Sequence, residues 1–290
     1  MHPAPSVILF TLLSGLGFGY LAFLGIGLPA PQGIWAFLAW GLGYGLAVGG
    51  LLASTFHLGN PQRALLAFTQ WRTSWLSREA GASVAALLVL APMALSDWLR
   101  LDFSRGIGVL GAVLALGTVG ITAMIYAQLK TVPRWNHWTV PVLFVGFALS
   151  GGAILAGHGY LASVLSLALA GLLSVSFRLG DGRFSARGHS IGAATGLGGI
   201  GGVREFEQGH TADNYLLREM MFSVGRKHAG RLRRIAVIGV ALPGGLLLLS
   251  PHSLTAQLIA LVCHVTGALA ARWLFFAEAE HVVGLYYGRR

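Results

Sequence analysis

Three side chains that could move protons or polarise a carbonyl group lie close together in the sequence, at His57, Arg63 and Glu79. An imidazole can hydrogen-bond to a carbonyl oxygen and pass a proton, and a carboxylate can connect that proton to water. A guanidinium can polarise a second carbonyl. Together with an apolar channel for a tail, this set suits a quinone, whose reduction needs protons as well as electrons.

We therefore take His57 and Glu79 as candidate catalytic residues. The candidate quinone-binding residues are His57, Arg63, Glu79 and Tyr126, whose phenol could hydrogen-bond to the ring. A structural role is the alternative for each. Ser77 could cap the third helix with Glu79 in its first turn, where the helix dipole favours a carboxylate. His57 could be an interfacial histidine with its hydrogen bonds satisfied, and an interfacial tyrosine is common.

The elements that must position these residues are membrane helices. The chain is 55% hydrophobic and 10% charged, whereas a soluble domain carries about 25% charged residues. A spanning helix needs about 20 mostly apolar residues. The sequence therefore predicts an all-α integral membrane protein, with residues 1–290 forming a single transmembrane domain of about eight helices. Gly41, Gly45 and Gly49 share one face of the second helix and predict a close-packing seam. The predicted spans are residues 6–28, 34–56, 80–98, 106–127, 139–157, 159–178, 234–250 and 253–276.

The distribution of basic residues predicts the orientation of these spans. Of the 20 Lys and Arg residues, only Arg100 and Arg105 fall in loops of one face. The positive-inside rule then places both termini in the cytoplasm. A long polar, basic loop at 179–233 shares that side. Its second half has the pattern of an amphipathic helix, with Leu216, Met220 and Val224 on one face. A loop of this length is usually functional or disordered, and we expect it to dock a soluble partner.

Three segments carry a resemblance to a known family. His57–Ala80 contains HLGNPQRA followed by SREA, residues 131–141 read TVPRWNHWTVP, and Arg272–Phe276 lie in the last helix. They resemble the membrane-anchor subunits of dimethyl-sulfoxide reductases, and the first motif is the most specific. The family often has an acidic residue after a glycine in the last helix, and this chain has Ala268 there.

The resemblance implies a quinone-binding anchor of a complex iron–sulfur molybdoenzyme. His57 and Glu79 would correspond to the quinone-site histidine and glutamate, with Arg63 beside them. The implied partners are a four-cluster ferredoxin-like iron–sulfur subunit and a molybdopterin catalytic subunit, which hold the clusters and the molybdopterin. No haem or iron–sulfur cluster is expected in this chain, whose single cysteine, Cys263, could not ligate a cluster alone.

The predicted topology favours one branch of this family. Basic cytoplasmic loops place the partners on the inner face of a bacterial cytoplasmic membrane. This arrangement is similar to that of the cytoplasmic sulfite dehydrogenases, which pass electrons to quinone. The alternative is a quinol-oxidising anchor of the dimethyl-sulfoxide reductase type, whose catalytic subunits face the periplasm.

Other functions are weaker alternatives. GLGGIG (196–201) matches a dinucleotide-binding pattern but lacks the strand and βαβ unit that such a site requires. His264 could ligate haem but is better explained as a polar contact between helices. A transporter should show repeats or charges at mid-membrane, and a purely structural tether would bind no quinone. Nucleic-acid binding is not expected, because the basic charge follows topology. Lys130, Arg134, Trp135 and Trp138 are interpreted as an interfacial belt, with partner docking as the alternative. The segment from Glu278 to Tyr287 is also interpreted as interfacial.

Overall fold

A computed structural model describes residues 2–56, 60–204, 206–207 and 228–287. The described residues form a helical bundle, and the predicted fold class is confirmed. Seven helices are long and apolar enough to span a membrane, and α5 is an apolar helix of 17 residues between two of them. The chain is a multi-pass membrane protein. The long helices are α1 (Pro5–Gly25), α2 (Ile34–Thr55), α3 (Trp75–Leu99), α4 (Arg105–Ala127), α5 (Thr139–Leu155), α6 (Gly159–Asp181), α9 (Ala229–Leu249) and α10 (Leu254–Ala277).

Helix α1 lies at the centre of the bundle and contacts α2, α4, α5 and α10. Its glycines allow three neighbours to approach closely. A side chain at Gly17 would meet the backbone of Ala47 on α2, and one at Gly19 would meet the backbone of Ala148 on α5. One at Gly25 would meet the carbonyl of Gly108 on α4. In a bilayer, where apolar side chains gain little by leaving lipid, such close contact is a main source of helix association.

The predicted glycine seam on α2 is wrong. Nothing lies within 4 Å of a Cβ built at Gly41, Gly45 or Gly49. The buried face of α2 instead carries five residues at alternating spacings of four and three, and this face packs against α1. Apolar residues surround α2, so its sequence does not reveal which face turns inward. The buried five are Ala36, Trp40, Gly43, Ala47 and Gly50.

The two ends of the bundle differ in their charged groups. At one end, which we call the opposite end, Asp97 forms two hydrogen bonds with Arg105, of 2.8 and 3.2 Å. Asp97 also accepts a hydrogen bond of 3.1 Å from the Trp40 indole. Arg100 and Arg105 therefore lie together, as the loop assignment predicted. At the other end, which we call the basic end, α1 begins and α10 ends.

The long loop is shorter than predicted, because α6 continues to Asp181 and α9 begins at Ala229. Two short helices follow α6, namely α7 (Arg183–Ala186) and α8 (Ile191–Thr195). The hydroxyl of Tyr286, in the 3₁₀ helix Val282–Tyr287, donates a hydrogen bond of 2.9 Å to the carbonyl of Ala194. The predicted amphipathic helix around Leu216 lies outside the described residues.

The α1–α2 contact provides a first test. We expect Gly50→Ala to destabilise the protein by about 1–3 kcal/mol, the usual cost of overpacking, because its methyl group would meet the backbone of Ser14. Gly45→Ala is the matched control and should leave stability unchanged, since its methyl group enters open space. Thermal unfolding in detergent measures both. Equal midpoints for the two variants would contradict the observed orientation of α2.

Candidate functional site

The connection before α3 folds back on the start of that helix. It contains a 3₁₀ helix, Pro61–Phe68. The Ser77 hydroxyl donates to the carbonyl of Ala67 and accepts a hydrogen bond of 3.1 Å from the backbone N–H of Gln70. Arg78 donates to the carbonyl of Trp71 at 2.9 Å. These bonds hold the polar connection against the basic end of α3.

Helix α3 begins earlier than predicted, and this changes the role of Glu79. Ser74 is the capping residue, and its hydroxyl accepts a hydrogen bond from the N–H of Ser77. The expectation that Ser77 caps this helix is therefore wrong. No acidic residue lies in the first turn of α3, so the capping interpretation of Glu79 also fails.

Glu79 instead points into the bundle, with 4% of its surface exposed. Its carboxyl group accepts a hydrogen bond from the hydroxyl of Thr122 on α4. The Thr122 hydroxyl also lies 3.0 Å from the carbonyl oxygen of Thr118. A hydroxyl has one proton and two lone pairs. Thr122 can therefore donate to an ionised Glu79, or accept from a protonated Glu79 while donating to Thr118. The pair can gain or release a proton without losing its hydrogen bond.

Tyr126 lies one turn beyond Thr122, inside a group of aromatic rings. Its ring is 5.3 Å from that of Trp135 and 5.9 Å from that of Phe144, between ring centroids. It also packs edge-on against Phe275, at 5.2 Å. Tyr126 is within electrostatic reach of both Glu79 and Arg272. The basic ends of α4, α5 and α10 therefore meet around this phenol.

The structure brings Glu79 and Tyr126 into one region but does not join all the candidate residues. Arg63 is exposed on the 3₁₀ helix before α3. His57 lies outside the described residues. Within the described ranges, no group of three His, Cys, Asp or Glu side chains could hold a metal ion.

Sequence analysis missed an ionic network at the same end. The Arg134 guanidinium donates to Glu278 at 2.6 Å and to Asp181 at 3.1 Å. Arg233 donates to Glu278 at 2.6 Å and to Asp181 at 2.8 Å. The network joins the α4–α5 connection to α6, α9 and α10, and it lines a cavity of about 190 Å³. Glu278 is buried, so its interpretation as an interfacial residue is wrong.

The predicted aromatic belt is also partly wrong. Trp135 has only 3% of its surface exposed, and its indole donates a hydrogen bond of 2.8 Å to the carbonyl of Phe275. Trp138 and Lys130 are exposed, as a belt requires. A signal was present, because Trp135 immediately follows the Arg134 that enters the ionic network. Sequence spacing alone could not show that the connection turns inward.

His137 in the α4–α5 connection is a pH-sensitive group outside the spans. Its Nδ1 lies 2.8 Å from the Thr139 hydroxyl and accepts a hydrogen bond of 3.4 Å from the Thr139 N–H. Burial and the nearby positive charge of Arg183 lower the pKa of His137. The folded protein therefore favours the neutral imidazole.

The comparisons with known proteins agree on one family. Residues 1–175 match the family model described as DMSO reductase anchor subunit (DmsC). The chain is 34% identical to a sulfite dehydrogenase subunit from Allochromatium vinosum, over 327 aligned residues that cover 99% of each chain. No solved structure matches the chain.

Removing one carboxylate from the ionic network should be costly. We expect Glu278→Gln to reduce stability by about 2 kcal/mol, because two guanidinium groups lose a charged acceptor. Asp102→Asn is the control, since this exposed carboxylate at the opposite end lies outside the network. Chemical or thermal unfolding of the two variants in the same detergent gives the comparison. An unchanged Glu278→Gln protein would show that the network contributes nothing to stability.

The lowered pKa of His137 predicts a loss of stability in acid. Because the unfolded state binds the proton more tightly, the stability from neutral His137 is present above about pH 6.5. It is lost as the pH falls from there through the lower folded-state pKa. His137→Gln should flatten this part of the profile, measured as unfolding midpoint between pH 5 and pH 8. The same slope in wild type and variant would assign the dependence to another group.

Proposed function

Because this chain belongs to the DMSO reductase anchor subunit (DmsC) family, we propose that it is the quinone-binding anchor of a molybdopterin and iron–sulfur oxidoreductase complex. It would pass electrons between a partner iron–sulfur subunit and the quinone pool. The observation that carries this proposal is Glu79, a buried carboxyl group at the basic end of α3 that shares a hydrogen bond with Thr122.

The chemistry of quinone reduction fits this pair. One quinone takes up two electrons and two protons to become a quinol, and the electrons would come from clusters in the partner subunit. Glu79 would deliver or receive a proton, since its partnership with Thr122 is compatible with either state of the carboxyl group. His57, Arg63 and Tyr126 are proposed to bind the ring, with His57 as the second proton-handling group.

We propose a four-cluster ferredoxin-like iron–sulfur subunit and a molybdopterin subunit as the partners, docked at the basic end. Exposed cations are frequent there and would steer an acidic surface to the site. The long loop between α6 and α9 would contribute to this surface. The exposed basic residues of the described chain at this end are Arg63, Arg72, Lys130, Arg178, Arg187, Arg204, Arg231 and Arg234.

We propose sulfite as the reductant whose electrons reach the quinone. The name of the relative from Allochromatium vinosum supports this substrate. The charge asymmetry supports a basic end in the cytoplasm of a bacterial inner membrane, with both termini on that side. The second candidate is a quinol-oxidising anchor of the DMSO reductase type. That function is favoured by the family description and requires partners on the other face.

Glu79→Gln tests the proposed site. The amide keeps the shape and a hydrogen bond but cannot transfer a proton, so quinone-coupled turnover should fall by about 10²–10⁴-fold. His57→Gln should have a similar effect. In the same preparations, the catalytic subunit should keep wild-type activity with an artificial electron acceptor. Quinone turnover at wild-type rates in both variants would refute the assignment.

The partner hydroxyl provides a matched pair of variants. Thr122→Val removes the hydroxyl and leaves the Glu79 carboxyl group unpartnered, so quinone turnover should fall and its pH profile should shift. Thr122→Ser keeps the hydroxyl and should retain most of the activity. Parallel pH–rate profiles measure the difference. Identical profiles for the valine and serine variants would show that Thr122 only fills space.

Topology separates sulfite oxidation from the second candidate. In a Cys263→Ser background, single cysteines at Gln62 and Asp102 report the two ends, because both positions are exposed. A membrane-impermeant maleimide applied to intact cells should label cysteine at 102 and spare cysteine at 62 until the cells are opened. The reverse pattern would place the partners in the periplasm and favour the quinol-oxidising anchor.

A further inference from the structure

Arg272 is a buried cation that the proposed quinone chemistry does not use. It lies on α10 with 5% of its surface exposed. Its guanidinium carbon is 3.6 Å from the ring centroid of Phe144 and 5.3 Å from that of Phe147. These cation–π contacts cover the faces of the group, whereas its five N–H donors lie at the edge.

No carboxylate of the described chain pairs with Arg272. Asp97 is bound to Arg105 at the opposite end, and Asp181 and Glu278 are bound to Arg134 and Arg233. Those groups neutralise one another. An isolated buried charge is expensive and is normally compensated by a counter-charge or by hydrogen-bond acceptors. The edge of Arg272 therefore requires an acceptor with negative charge.

A cavity beside Arg272 offers space for such a group. It lies between α5, α6 and α10, and it is walled by the rings of Phe144, Phe147, Phe177 and Phe275. Arg134 and Glu278 also line it. Its volume is about 50 Å³, which has room for roughly three or four water-sized atoms. A carboxylate has three heavy atoms and fits this space, whereas a substituted quinone ring is larger.

An apolar groove lies along the same pair of helices. Leu143 and Leu173 line the cavity, and the neighbouring Val142 and Leu172 line the groove. The groove has a volume of about 430 Å³, and all of its lining residues are apolar. It extends deeper than the cavity along α6, to Leu165. A molecule with its head in the cavity would therefore have its apolar chain directed into the bilayer.

We propose that Arg272 and the α5–α6 groove form a binding site for a long-chain carboxylate, distinct from the region of Glu79. The carboxylate would accept hydrogen bonds from the Arg272 guanidinium and neutralise it, and the acyl chain would lie in the groove. The missing counter-charge and the small cavity favour this head over a neutral quinone. This site does not depend on the proposed quinone function.

The test uses a palmitic acid analogue with a diazirine in its chain, added to membranes that contain the full-length chain. After photolysis, cross-linked peptides should contain residues 141–149 or 165–172. Arg272→Gln should reduce the yield at least about tenfold, while Arg100→Gln, at the opposite end, should leave it unchanged. Leu173→Trp, which fills the cavity and keeps the charge, should also reduce the yield and guards against misfolding of the first variant.

Competition identifies the head group. Unlabelled palmitate should abolish the cross-link, and palmityl alcohol, which has the same chain without charge, should compete poorly. Displacement by decylubiquinone and not by palmitate would overturn the proposal in favour of a second quinone site. Cross-linking that persists in both Arg272→Gln and Leu173→Trp would show ordinary lipid contact and overturn it as well. Quinone turnover in the Glu79 variants is a separate measurement, so the two proposals can fail independently.

Discussion

The constraint on which this structure depends is the absence of water in the bilayer core. A polar group there must find its partner inside the protein. Asp97 meets Arg105 and the Trp40 indole, Ser150 and Ser166 lie 2.9 Å apart, and Glu79 meets Thr122. Each of these contacts joins two different helices. The requirement to satisfy polar groups therefore also fixes how the helices are arranged.

The central position of α1 follows from a second consequence of the lipid environment. Because lipid is as apolar as the side chains, close backbone approach has to supply much of the association energy. Glycines at the contacts of α1 with α2, α4 and α5 make this approach possible. Helix α4 is thereby held against α1, and Thr122 is presented to Glu79 on the neighbouring α3.

At the basic end, two structures of different chemistry hold the helix termini together. Tyr126, Trp135 and Phe275 form an apolar aromatic contact between α4, α10 and the α4–α5 connection. Beside it, the charges of Arg134, Arg233, Asp181 and Glu278 join α6, α9 and α10. A rigid end of this kind suits the proposed role, since electron transfer and proton transfer both require fixed distances between the groups that exchange them.

The sequence by itself determined the number and order of the helices, because hydropathy reports which segments avoid water. It also determined the family and the separation of Arg100 and Arg105 from the other basic residues. It did not determine how each helix is rotated. Since apolar residues cover nearly all faces of these helices, the pattern could not show that Gly45 faces outward and Gly50 inward. Glu79 turned from a capping residue into a buried partner of Thr122 because α3 begins at Trp75. The ionic network around Glu278 and the isolated charge of Arg272 join residues far apart in the chain, and only tertiary packing decides such contacts.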